Sequence, residues 1–109
     1  MTTTEAQVTI EKMVRLIVEK FNPLKIILYG SYARGTAGPD SDVDLMVIMP
    51  VTGSIQEKRL EIRVALNGMG IAKDIAVYTP EQVAKYKDIV GTIVYPAFHE
   101  GKVLYERTA

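Results

Sequence analysis

The sequence predicts an α/β domain, a small mixed sheet of three to four strands with helices packed on it. Three short, mostly apolar runs, Leu24–Tyr29, Val43–Met49 and Ile71–Tyr78, have strand length and are closed by Gly30, Pro50 and Thr79-Pro80. Between them lie stretches with helical periodicity, and strands alternating with helices predict sheet and helix layers around one core. A length of 109 residues leaves room for a single domain spanning 1–109.

Each element has a local reason. Ile10, Met13, Val14, Ile17 and Phe21 recur at helical spacing and Asn22-Pro23 halts them, which predicts a helix over about 5–21. Ser54-Ile55-Gln56-Glu57 reads as a capping box, opening a charged helix that runs to about Asn67-Gly68. In that helix Ile55, Ile62, Leu66 and Met69 form the inward stripe, while Leu60 and Val64 fall on the opposite side. They are either two scattered surface residues or a stripe for a partner. Thr79-Pro80-Glu81-Gln82 starts another helix with Pro in the first turn. A last helical stretch over about 92–99 is expected to be strained by Pro96, and Lys102–Tyr105 reads as a short edge strand.

Composition narrows the function. Thirteen Lys+Arg balance thirteen Asp+Glu, so no global positive field draws the chain to a nucleic-acid backbone, and direct nucleic-acid binding is not expected. There is no cysteine and a single His99, so thiol chemistry, zinc clusters and histidine metal sites are excluded, and any metal must be held by oxygen. No apolar run is long enough to span a membrane and the Thr-rich start lacks a signal-peptide pattern, so a cytoplasmic location is expected.

The chemistry concentrates in Gly30–Leu45. Asp42 and Asp44 stand at i and i+2 on a strand, which projects both carboxylates from one face. Such a pair repels itself unless a hard cation intervenes. Mg²⁺ suits, because it accepts one or two carboxylates and completes its octahedron with water and phosphate oxygens. Upstream, Gly30-Ser31 sits where a strand gives way to a short helix, so close backbone approach, free amides and the Ser31 hydroxyl can cradle a phosphate. Cation and cradle together make a triphosphate site. Asp74, alone among apolar residues of the third strand, would lie about 5 Å across the ladder if that strand neighbours the Asp42/Asp44 segment. There it can hold a second metal and accept a proton from an attacking hydroxyl. Pairing with Lys73 or Lys25 is its alternative. Arg34 can contact a triphosphate or acceptor, or tie down Asp40.

Gly30-Ser31, ten residues and then Asp42-Val43-Asp44 resembles the G-S-x10-D-x-D signature of the polymerase beta-like nucleotidyltransferases. Gly30–Leu45 as a whole is similar to their minimal form, the MNT domain, and the resemblance covers nearly the whole chain. It implies the palm fold of that superfamily and transfer of a nucleoside monophosphate, usually AMP from ATP, to a hydroxyl with Mg²⁺, two ions being expected. On this chain it implies Asp42, Asp44 and Asp74 as metal-binding catalytic acids, with Gly30, Ser31 and Arg34 on the nucleotide. It further implies a HEPN-type toxin as partner, silenced by adenylylation of a tyrosine. Alternatives are an antitoxin that acts by binding alone and a transferase acting on a small molecule. An oligomer is compatible with either.

Competing readings of single residues are weaker. Asp40-x-Asp42-x-Asp44 opens like an EF-hand loop, but Leu45 replaces the turn glycine and Val51 the bidentate Glu. No Walker A or G-x-G-x-x-G pattern exists. Ser31 has a local alternative as a helix N-cap. His99 reads as a surface residue and the tyrosines as structural, with Tyr32 in the loop able to stack on a base.

Overall fold

The computed structural model describes residues 2–108. Its elements are α1 (Thr3–Phe21), β1 (Lys25–Tyr29), α2 (Ser31–Arg34), β2 (Val43–Ile48), α3 (Ile55–Ala65), β3 (Lys73–Tyr78), α4 (Pro80–Tyr86), α5 (Val94–Glu100) and β4 (Lys102–Glu106). The sheet is mixed and four-stranded, ordered β3-β2-β1-β4. β1 pairs antiparallel with β2 and with β4, whereas β3 runs parallel to β2. The α/β class and the edge position of Lys102–Glu106 are therefore as expected.

Alternation of side chains gives the sheet two covered faces. One carries Ile26, Leu28, Val43, Leu45, Val47, Ile75 and Val77 against Ile10, Met13 and Ile17 of α1 and Ile62 of α3. The other carries Ile27, Met46 and Ile48 under Val94 and Ala97 of α5, with Val83 and Tyr86 of α4 at its margin. Central β2 is buried on both faces, which explains its nearly unbroken apolar sequence. Towards the start of β2 the second face runs out from under the helices, and the polar residues of the sheet collect there.

Three boundaries differ from expectation for identifiable reasons. α1 begins at Thr3, earlier than about residue 5, because Thr2 and Glu5 form a reciprocal capping box. At α3 only half of the expected box forms: the Ser54 hydroxyl accepts from the Glu57 amide, while the full box belongs to Thr79 and Gln82 of α4. Pro96 does not strain α5. The helix starts at Val94, so Pro96 is its third residue, where the missing amide removes no intrahelical bond. No helix among the described residues is long and apolar enough to cross a membrane.

Candidate active site

The sheet register brings the acids together. Tyr29 on β1 faces Asp44 on β2, and Asp44 faces Asp74 on β3, so the three residues form one row across three strands. Asp42 stands immediately before β2 and is exposed. The ladder begins at Val43, which donates to the Ala72 carbonyl at 2.9 Å, so Asp42 precedes the strand on which its spacing from Asp44 places it. Asp44 is half-buried, and its carboxyl is raised above the ordinary carboxylate value, chiefly by burial, then by the charges of Asp74 and Asp42, against a lowering by Arg34. Asp44 thus feels the negative charge of both other acids.

The turn after β1 is shaped around this cluster. Gly30 has φ 74° and ψ −154°, a backbone region essentially reserved for glycine. A Cβ there would also collide with a carboxylate oxygen of Asp44. Gly30 is therefore required twice, by its torsions and by the acid packed against it. Its carbonyl accepts from the Ala33 and Arg34 amides at 3.1 Å each, which leaves the first amides of α2, at Ser31 and Tyr32, as those the helix cannot satisfy. Ser31 is the first residue of α2 and Gly30 occupies the cap position without any side-chain cap bond, so Ser31 is not an N-cap. The loop beyond is closed by Gly38 donating to Ser41 Oγ at 2.8 Å.

Arg34 makes no ion pair with Asp40 among the described residues, and its charge is felt at Asp44. Tyr32 is half-buried and packs against the main core. His99 is exposed, stacks on Tyr95 with ring centroids 4.1 Å apart and faces Asp88 at 3.6 Å, as a surface residue would.

Two neighbours of the row carried no clear signal in the sequence. Tyr29 lies beside Asp44 with its phenol pushed up to about 12, by burial first and then by Asp44 and Asp74, so it stays a protonated donor. Arg59 of α3 reaches Asp74 Oδ1 at 3.4 Å, so the partner of Asp74 is neither Lys73 nor Lys25. An aromatic at the end of a buried strand and an arginine on a charged helix have commonplace structural uses, and only the tertiary fold places them here. Among the described residues no three acids are gathered into a ready metal-holding group. The donors available at the row are hard carboxylate oxygens, the set that suits Mg²⁺, with Asp74 turned to Arg59.

Residues 10–95 match the family model described as "Nucleotidyltransferase domain". A 41-residue stretch is 39% identical to a Methanocaldococcus jannaschii protein named "Putative protein adenylyltransferase", covering 38% of this chain and about two fifths (41%) of that relative. Among solved structures, a chain of an MntA-HpeT toxin-antitoxin mutant superposes with TM-score 0.65 at 18% identity, covering 89% of this chain and 73% of the other. A chain of a toxin-antitoxin crystallised with AMP-PNP gives 0.64 at 20% identity, covering 90% and 74%. The fold is thus shared with chains of solved toxin-antitoxin structures. The family match runs from within α1 to the start of α5, across the Gly30 turn and all three acids, and the chain belongs to the nucleotidyltransferase domain family.

Proposed function

We propose that this chain transfers AMP from ATP to a hydroxyl, a tyrosine of a HEPN-type toxin partner, and acts as the antitoxin of that partner. The observation that carries the reading is the register of Asp44 against Asp74 on parallel neighbours, with Asp42 adjacent and Gly30 kept bare beneath the Asp44 carboxylate. An adenylyltransferase name on a relative and AMP-PNP in a structural neighbour support the choice of nucleotide.

The roles follow from the positions. The amides at the start of α2 and the Ser31 hydroxyl bind the outer phosphates, with Arg34 offering its planar fork to the same oxygens. Asp42 and Asp44, with Asp74, would hold Mg²⁺, which supplies neutralisation of triphosphate and leaving-group charge. A carboxylate oxygen of Asp74 accepts the proton of the incoming hydroxyl, whose oxygen then attacks the α-phosphorus and expels pyrophosphate. Tyr29, protonated throughout, donates a hydrogen bond at the row. Positioning and charge placement account for the catalysis.

A partner surface independent of the acids supports the antitoxin reading. Leu60 and Val64 are 61% and 66% exposed and share a shallow groove with Phe21 and Ala65 between α1 and α3. With this surface the chain could also neutralise its partner by binding alone. One experiment separates the readings: incubation of the chain and its co-purifying partner with labelled ATP and Mg²⁺. Asp42→Asn with Asp44→Asn should abolish labelling of the partner while far-UV circular dichroism stays unchanged. Label retained at the parental level refutes the assignment, and neutralisation retained without label assigns the antitoxin effect to binding.

A further inference from the structure

Arg59 is anchored by backbone, and the acid is its second contact. It stands on α3, over the face packed by the main core, and its side chain passes round the open edge of β3. Nε donates to the Ile75 carbonyl at 2.7 Å, while a terminal nitrogen reaches Asp74 Oδ1 at 3.4 Å. The carbonyls of Ala72 and Tyr78 accept from Val43 and Met49 on the β2 side. In a parallel ladder bonding direction alternates by residue, so Ile75 turns its carbonyl to the open edge, where among the described residues Arg59 meets it. The shorter bond fixes the guanidinium, and the longer one leaves its charge beside Asp74.

Resting on the proposed reading of the acids as metal ligands, we propose that Arg59 is a resident counter-ion occupying the cation position of Asp74. Divalent ions are then taken up in order, the first at Asp42 and Asp44, the second only against the charge of Arg59. Two features of the molecule agree with this. Asp74 is directed at Arg59, and the described acids form no ready three-ligand group. Lys73, next in sequence to Asp74, carries the same charge but bonds the Ile71 carbonyl at 3.4 Å, so it serves as a control for charge without that contact.

The test is Mn²⁺ titration of the full chain without nucleotide, read by the electron paramagnetic resonance of free and bound ion. The parent should bind one Mn²⁺ at least tenfold more tightly than a second. Arg59→Gln should tighten the second at least tenfold and leave the first within about threefold, and Arg59→Met, equally without charge, should do the same if Arg59→Gln melts early. Lys73→Gln should behave as the parent. Two equal sites in the parent, an unchanged second site in Arg59→Gln, or an equal gain in Lys73→Gln overturns the proposal while leaving the metal reading intact. No Mn²⁺ bound by any of these chains overturns both. A view independent of counting bound Mn²⁺ comes from the Arg59 Nε–H resonance, slowed in exchange by its bond to Ile75. It should persist through the first equivalent of Mg²⁺ and change with the second, and a change complete at the first equivalent also overturns the proposal.

Discussion

Gly30→Ala separates the two reasons for glycine at the strand-to-loop turn. The torsions of Gly30, φ 74° and ψ −154°, lie where a side chain costs about 1–3 kcal/mol whatever surrounds it. The added Cβ would also meet the Asp44 carboxylate, its Cγ at 3.2 Å, whereas the Asp44 Cβ at 3.6 Å is in ordinary contact. The carboxylate is half-exposed and can swing aside, at about 0.5–1.5 kcal/mol for an off-rotamer side chain. Gly30→Ala should therefore cost roughly 1.5–4.5 kcal/mol in the parent but only about 1–3 kcal/mol in an Asp44→Ala background. The backbone part alone corresponds to a fall of roughly 4–13 °C in melting temperature for a domain of this size.

Urea or thermal melts of the parent, both single variants and the double variant close the cycle, and the coupling between positions 30 and 44 should come out near 0.5–1.5 kcal/mol. A coupling of zero would refute the packing of Gly30 against the acid. A loss below about 0.5 kcal/mol in both backgrounds would refute the torsional requirement as well. The cycle needs no ligand, so it tests the architecture of the site separately from its activity.

Two further outcomes follow from the same geometry. The Asp44 carboxyl is raised above its ordinary value of 3.8, so the folded chain holds that proton more firmly than the unfolded one, and stability falls as pH rises through the interval above 3.8. Asp44→Asn should accordingly melt higher than the parent at neutral pH and lose that advantage as pH falls below the interval; an advantage constant across pH would contradict the sign. Leu60→Asp with Val64→Asp adds charge to exposed positions, so the melting temperature should change little while co-purification of the partner is lost, and unchanged co-purification rules out the groove as the docking surface.

How much of this was legible in the chain depends on the range of the interaction. Signals written within a few residues were readable: the Gly30-Ser31 turn, the Asp42/Asp44 spacing, strand runs bounded by Gly and Pro, and the Thr79-Pro80 helix start. Even the earlier start of α1 was there to be read, since Thr2 and Glu5 have capping-box spacing. Pro96 misled because its cost depends on the helix turn it occupies, and that turn is set by where α5 docks on the sheet. The contacts that define the site join residues 14 to 16 positions apart or more: Gly30 against Asp44, Arg59 on Ile75, and Asp44 beside Asp74.

The last of these contacts bears most on function. A single acid on a strand is ambiguous in sequence, because an exposed ion pair and a catalytic carboxylate look alike there. The parallel register removes part of that ambiguity by setting Asp74 directly beside Asp44, where two like charges raise each other's cost unless a cation is shared. Arg59 brings a cation to Asp74 in the resting chain, held there by a bond to backbone that does not involve the Asp74 side chain. An ion pair kept only for stability would not require its arginine to be held from behind by the strand that carries the acid. That anchoring is the geometric ground on which Arg59 is proposed as part of the site.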